Sequence, residues 1–441
     1  GYTAATMELI LISYLLPQLR KEWGDLTAFE SAFLASASFA GTLIGSVFWG
    51  WLADKIGRKI SFTTTVFLSG SFGLASAFAP SFLWIIFFRF MVGFALGGNL
   101  SVDFVLFLEF VPTIGRGFYV SLITLFGVFG ILLLAGIAWI VIPRLGWRYF
   151  LAICSIPSVI VLFFRAWMPE SPRYLCVSGE YDEAERVLQL VSRVNNKQLP
   201  QGKLSRFQET VSQKRGSFRD LVTPKLRLTS IIIWELWFCL VFGYYGITIW
   251  LPEYLENKGL GSDIYLNFLL IGIAELPGVA LTAFLVDRVG RRRCLAACMI
   301  GSGVCTLFFG FATSAIAVKI VTCAIYFFVV GAWAIIYLYT PEVYPTYLRS
   351  TASGVTSIFS TCAGIISPII GGALLGSKSQ SNRVWIVLGC YTTAFLVGGI
   401  SALFLPMETN KTALQDINTV NNNDNDDDTR DSLILHKNSS V

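Results

Sequence analysis

Histidine is almost missing from this sequence: one occurs among 441 residues, His436, and it lies in a polar tail. That argues against a zinc site and against catalysis by a Ser-His-Asp arrangement, and it leaves any proton relay inside the protein to carboxylates. Charged residues are scarce, at 14% against roughly 25% in an ordinary soluble domain, while 54% of the residues are hydrophobic and 36 are Phe. A water-exposed fold could not cover that much apolar side chain, so the bilayer is the expected solvent. No Walker or other nucleotide-binding motif occurs, which argues against ATP-driven pumping, and no filter-like run or ring of charges suggests a channel. The nine cysteines fall mostly in apolar segments, with no plausible pair in one outward loop. No disulfide, metal site, cofactor or catalytic residue is therefore expected.

What is present is a series of long apolar runs. A hydrocarbon core about 30 Å thick needs about 20 mostly apolar residues per helix. Such runs fall near 1–19, 28–53, 60–80, 82–108, 118–142 and 149–168, and again near 228–252, 264–286, 294–313, 316–340, 351–375 and 384–405. The expected fold is all-α and integral to the membrane, with twelve transmembrane helices in two six-helix bundles, 1–170 and 228–406. Residues 171–227 read as a polar linker with a helical pattern near 181–190. Residues 407–441, which contain NNNDNDDD, read as a disordered tail. The chain begins at Gly1 already inside an apolar run, so a natural N-terminus is expected to precede it and no targeting peptide can be judged.

Net charge is +5, but the Lys and Arg residues are concentrated in short segments between apolar runs, which signals membrane topology rather than nucleic-acid binding. Lys55, Arg58, Lys59, Arg116, the linker, Arg288, Arg291 to Arg293 and Arg349 all fall on alternate connections. By the positive-inside rule those connections, both termini and the linker face the cytoplasm. Arg20, Lys21, Arg144 and Arg148 fall on the other side, so the bias is not absolute.

The two bundles are also repeats of one another. Asp54 and Asp287, Glu109 and Glu342, Pro112 and Pro345, and Arg116 and Arg349 are each separated by 233 positions. Parallel six-helix repeats are one way transporter folds are built.

Particular motifs carry a family resemblance. Gly50-Trp-Leu-Ala-Asp54-Lys-Ile-Gly57-Arg58-Lys59 joins the second and third spans, and Asp287-Arg288-Val-Gly290-Arg291-Arg292 recurs between the eighth and ninth. Both resemble the G-x-x-x-D-R/K-x-G-R-R/K signature of the major facilitator superfamily, although Ala283 stands where the second copy would carry Gly. Gly50 and Asp54, four apart, share a helix face, and Gly50 would let a neighbouring helix approach closely. The resemblance implies that Asp54 caps the cytoplasmic end of the eleventh helix and Asp287 that of the fifth, where the helix dipole favours negative charge.

Arg89, Gly93 and Gly97, spaced four apart, resemble the family's R-x-x-x-G-x-x-x-G pattern. Pro169-Glu170-Ser171-Pro172-Arg173 is similar to the P-E-S-P-R motif of its sugar and organic-ion branches. Together with Glu109, Arg116, Glu342 and Arg349 these residues imply a cytoplasmic rim of opposite charges suited to gating. Glu8 with Pro17-Gln18-Leu19, Gly97 to Asp103, Phe242-Gly243-Tyr244-Tyr245-Gly246, Glu275-Leu276-Pro277-Gly278 and Tyr339 to Pro345 look like the synaptic-vesicle-2-related branch. That branch sits near the organic ion and proton-coupled metabolite transporters. Ala5, where the branch often has Asp, and Glu235, where it is usually apolar, are departures.

Ionisable groups inside membrane spans are functional candidates by default. Here they are Glu8, Arg89, Asp103, Glu235 and Glu275, with Tyr244 and Tyr245 as candidate cavity aromatics. Glu275 precedes Asp287 by 12 residues, about 18 Å along a helix, which places it near mid-membrane. Glu8 and Arg89 lie on oppositely directed helices at depths differing by only about 5 Å, so they are expected to pair beside the cavity, with Glu275 as the matching carboxylate of the other half. The expected function is secondary transport of a small organic ion or metabolite by alternating access, coupled to protons as in symport, in a plasma or internal membrane. The alternative is a receptor, sensor or trafficking protein on the same scaffold that no longer transports. The expected partners are the solute, protons and the lipid bilayer.

Overall fold

The computed structural model describes residues 1–24, 26–110, 116–165, 169–177, 179–199, 217–257, 260, 264–345, 348–375 and 381–409, and each apolar run folds there as one helix. The first half consists of α1 (Tyr2–Trp23), α2 (Ala28–Ile56), α3 (Arg58–Ser76), α4 (Phe82–Phe110), α5 (Arg116–Leu145) and α6 (Trp147–Arg165). Three short helices follow, α7 (Pro172–Val177), α8 (Tyr181–Asn195) and α9 (Phe218–Leu221). The second half consists of α10 (Arg227–Asn257), α11 (Ile264–Val289), α12 (Arg291–Phe311), α13 (Ala315–Val343), α14 (Arg349–Leu375) and α15 (Ser381–Leu403).

Most of the long helices overrun their apolar windows. Their ends carry charged residues such as Arg20, Lys21 and Arg291 while the backbone hydrogen-bond ladder continues. Among the described residues, ten helices are long and apolar enough by themselves to cross a bilayer. The other two of the twelve are α1, which holds Glu8 inside an otherwise apolar run, and α3, rich in Ser and Thr. In α3 several of those hydroxyls bond the backbone one turn back: Ser61 donates to the Gly57 carbonyl at 2.9 Å, Thr63 to Lys59 at 2.7 Å and Thr64 to Ile60 at 3.0 Å.

The packing repeats with the sequence. In the first half α2 lies on α4, α3 on α6 and α1 on α5; in the second, α11 lies on α13, α12 on α15 and α10 on α14. Each pairing maps onto its counterpart. The halves meet in the same reciprocal way, α2 against α14 and α5 against α11, with α1 against α10 on the pseudo-axis.

Small residues set the tightest approach. A Cβ on Gly41 or Gly45 would overlap the backbone of Phe90 or Phe94, and one on Gly93 or Gly97 would overlap that of Ser38 or Thr42. At Gly50 no described residue lies within 4 Å of a Cβ built there. The α2–α4 contact is made by the glycines nearer the middle of the span. Outside, large apolar side chains such as Phe78, Leu83, Phe163 and Ile316 are exposed, which is the surface a lipid-embedded bundle presents.

Candidate functional site

Where the halves face each other, α1, α5, α10, α11 and α13 line a half-open cavity of about 80 Å³. Among the described residues its ionisable side chains are Glu275 of α11 and four tyrosines, Tyr2, Tyr244, Tyr245 and Tyr337; Trp333 completes an aromatic wall, and no described basic residue is in the lining.

Local sequence explains the placement. Gly243 and Gly246 flank the two tyrosines of α10, and a Cβ on either would collide with the ring of Phe395 or Tyr391 on α15. The bare backbone seats against α15, and Tyr244 and Tyr245 remain to line the cavity. Glu275 lies between Gly272, which admits Leu132 of α5, and Gly278, which admits the backbone of α13 at Phe327. The carboxylate is therefore pinned between helices of opposite halves. It is 2% exposed, and its Oε2 has no hydrogen-bond partner among the described residues.

The aromatic wall is continuous. Tyr244 meets Tyr245 edge-on at 4.9 Å and Trp333 at 5.8 Å, and Trp333 stacks on Tyr337 at 5.5 Å. Tyr337 in turn bonds the hydroxyl of Tyr2 across the interface.

Glu8 and Arg89 are in contact, with Nη1 to Oε2 at 2.7 Å and both side chains 1% exposed. Arg89 also donates to the hydroxyl of Ser76 and, at 3.4 Å, to the Gly73 carbonyl. The expectation that this pair stands beside the cavity is corrected by its position. Neither residue lines the cavity, where α1 presents Tyr2, Thr6, Leu9 and Ile10. At 100° per residue Glu8 points to the other side of α1, toward α3 and α4, where Gly73 leaves room for its carboxylate.

Glu235 is also outside the cavity; it accepts from Ser401 of α15 at 2.8 Å. The side chains of Asp54, Arg58, Asp103, Glu109, Arg116 and Arg173 lie outside the described residues.

At the rim of the second half, Arg291 is within 2.9 Å of Asp287 and 3.4 Å of Glu342. Arg288 lies over the Phe284 ring, and Arg349 Nε donates to the Pro341 carbonyl at 2.8 Å. Gly57 and Gly290 take φ of 94° and 100° at the starts of α3 and α12. Each is covered by a carboxylate. Glu170 accepts from the Lys59 amide at 3.0 Å, and Glu408 from the Arg291 and Arg292 amides at 2.8 and 3.2 Å. Thr409 donates to Glu342 at 2.6 Å, so residues 408 and 409 are fastened to the bundle.

Some site residues were not anticipated. Glu408 falls 238 positions after Glu170 rather than 233, so the repeat offset misses it; its signal is the Pro406-Met407-Glu408 that echoes Pro169-Glu170. Arg20 and Glu253 join α1 to α10 at 3.0 Å, and Lys21 and Glu256 lie 3.8 Å apart beside them. Beneath those pairs Tyr14 packs on Phe268 and Tyr265 of α11. These contacts shut the face at which α1 and α10 end.

The sequence matches the model of the sugar (and other) transporter family over residues 1–420. It is 31% identical to the synaptic vesicle 2-related protein of Rattus norvegicus, covering 94% of this chain and 78% of that one. It is 33% identical to the niacin transporter NiaP of Acinetobacter baylyi, with 95% and 94% covered, and 32% identical to organic cation/carnitine transporter 7 of Arabidopsis thaliana, with 94% and 91% covered. The fold is similar to that of the proton:xylose symporter XylE with 6-bromo-6-deoxy-D-glucose bound, at a TM-score of 0.73 and 18% identity over 94% of this chain and 97% of the other. Two of these relatives are named as transporters, and the protein of similar fold as a symporter. The chain belongs to the sugar (and other) transporter family of the major facilitator superfamily.

Proposed function

We propose that this protein is a secondary carrier that moves a small organic ion or metabolite by alternating access, coupled to protons through a membrane-buried carboxylate, Glu8 or Glu275. The carrying observation is the cavity between two repeated halves, with a buried carboxylate inside whose Oε2 has no partner among the described residues, and one face shut by ion pairs between the halves. Reciprocal packing of α2 on α14 and α5 on α11 supports rocking of one half against the other. Protonation of Glu8 would remove the charge that holds Arg89, which links protonation to the contact of α1 with α4.

The rim residues Gly50, Asp54, Gly57, Arg58, Glu109, Arg116, Glu170 and Arg173, with Asp287, Arg288, Gly290, Arg291, Glu342 and Arg349, form the opposite gate in this reading. That basic face is cytoplasmic, as are both ends of the chain. Relatives named for niacin and for organic cations leave the charge of the solute open.

The test is purified protein in lipid vesicles, offered a mixture of small metabolites with and without a pH gradient, with accumulation read by mass spectrometry. Accumulation that depends on both protein and gradient supports the proposal. Passive equilibration unaffected by the gradient would reduce it to uniport, and absence of any protein-dependent uptake would favour a non-transporting scaffold.

A further inference from the structure

The chemistry of the cavity points to the charge of its occupant. Among the described residues, its lining includes one carboxylate, five aromatic side chains and no Lys, Arg or His. The buried base on the neighbouring side of α1, Arg89, is already held by Glu8, Ser76 and Gly73. A buried carboxylate oxygen without a protein partner is costly unless something else satisfies it, by a charge or by a proton. Facing it are tyrosines of three helices, Tyr2 of α1, Tyr244 and Tyr245 of α10, and Tyr326 and Tyr337 of α13; α5 faces it with Thr124 and apolar residues. None of these supplies positive charge.

We propose that the cavity is a binding site for a small organic cation, with Glu275 as its counter-charge and Tyr2, Tyr244, Tyr245, Trp333 and Tyr337 as its aromatic walls. This rests on the carrier reading and narrows its substrate class. Aromatic faces attract a cation through their quadrupole, most strongly where water is excluded, and a quaternary ammonium group suits such walls because it needs no hydrogen bonds in return. An anionic solute would enter against Glu275 with no base in the lining to receive it. The site draws on both halves, since Tyr2 belongs to the first and the other named groups to the second. The cation thereby bonds the halves together at the pseudo-axis, as a solute that triggers their movement must. A proton and the cation exclude one another at Glu275.

The experiment is equilibrium binding to the full chain in detergent, read as thermal stabilisation. The probes are tetramethylammonium, choline and phenyltrimethylammonium, each beside its uncharged carbon isostere; for choline that is 3,3-dimethylbutan-1-ol. At least one cation should bind about tenfold or more tightly than its isostere, and Glu275→Gln should remove that preference, as should Trp333→Leu in part. Equal stabilisation by every cation and its isostere, or an unchanged preference in Glu275→Gln, would overturn the assignment. The isostere comparison uses unaltered protein, so it holds even if a variant fails to fold. Cation binding without flux in vesicles would leave the site standing and defeat the carrier. Flux of anionic or neutral solutes with no cation preference would do the reverse.

Discussion

Arg20 and Glu253, 233 residues apart in the chain, stand 3.0 Å from each other across the two halves. Ser31 of α2 accepts from Arg20 Nε at 3.1 Å, and the Arg20 guanidinium lies 5.9 Å from the Trp250 ring, so the pair is braced from both sides. It is partly exposed and is worth about 1 kcal/mol or less, enough to move a balanced two-state equilibrium by up to about fivefold. Glu253→Arg should therefore raise labelling, from that face, of a cysteine introduced at Ile10, and adding Arg20→Glu should bring it back. Equal labelling in the wild type, the single variant and the swap would show that the pair does not hold this face shut.

The Glu8–Arg89 pair is a different case, because water does not reach it. Removing one partner leaves a buried charge alone, and Glu8→Ala should cost about 3–5 kcal/mol of stability. Replacing both with apolar residues of similar size should cost less. Thermal unfolding in detergent distinguishes the two outcomes; a double variant as unstable as the single would mean that packing around the side chains, not their charge, is at stake.

Gly57 and Gly290 should behave as equivalents. A side chain at their positive φ costs about 1–2 kcal/mol and would also press on Glu170 or Glu408. Gly57→Ala and Gly290→Ala should each lower the melting temperature, whereas Gly50→Ala, next to open space among the described residues, should not. A Gly50→Ala loss as large as the other two would place an undescribed side chain against that position.

Much of the fold was legible because apolar runs and the basic connections between them report helices directly, and the 233-residue offset reports the repeat. The contact of Glu8 with Arg89 could be read from helix direction and depth. Its separation from the cavity could not, since one helix does not reveal which of its faces meets the other half. Tyr244 and Tyr245 stand in a motif that carries the family resemblance, but Trp333 and Tyr337 look like any aromatic in an apolar helix until α13 is placed beside α11. Arg20 read as an exception to the charge rule. Its partner lies on α10, and nothing local in the chain joins the two.

Topology is open to labelling. A cysteine at Asn257, where α10 ends, should react with an impermeant reagent added outside, and one at Asn196, where α8 ends, should not. The reverse pattern would invert the protein in the membrane.

The central claim is that solute crosses because the two halves alternate in which face they close. A cysteine pair replacing Arg20 and Glu253, bridged by a short cleavable reagent, locks the shut face in vesicles performing the gradient-driven metabolite uptake described above. The account predicts that bridging stops uptake and that cleaving the bridge restores it. Uptake that continues at an unchanged rate through the bridged protein would contradict alternating access.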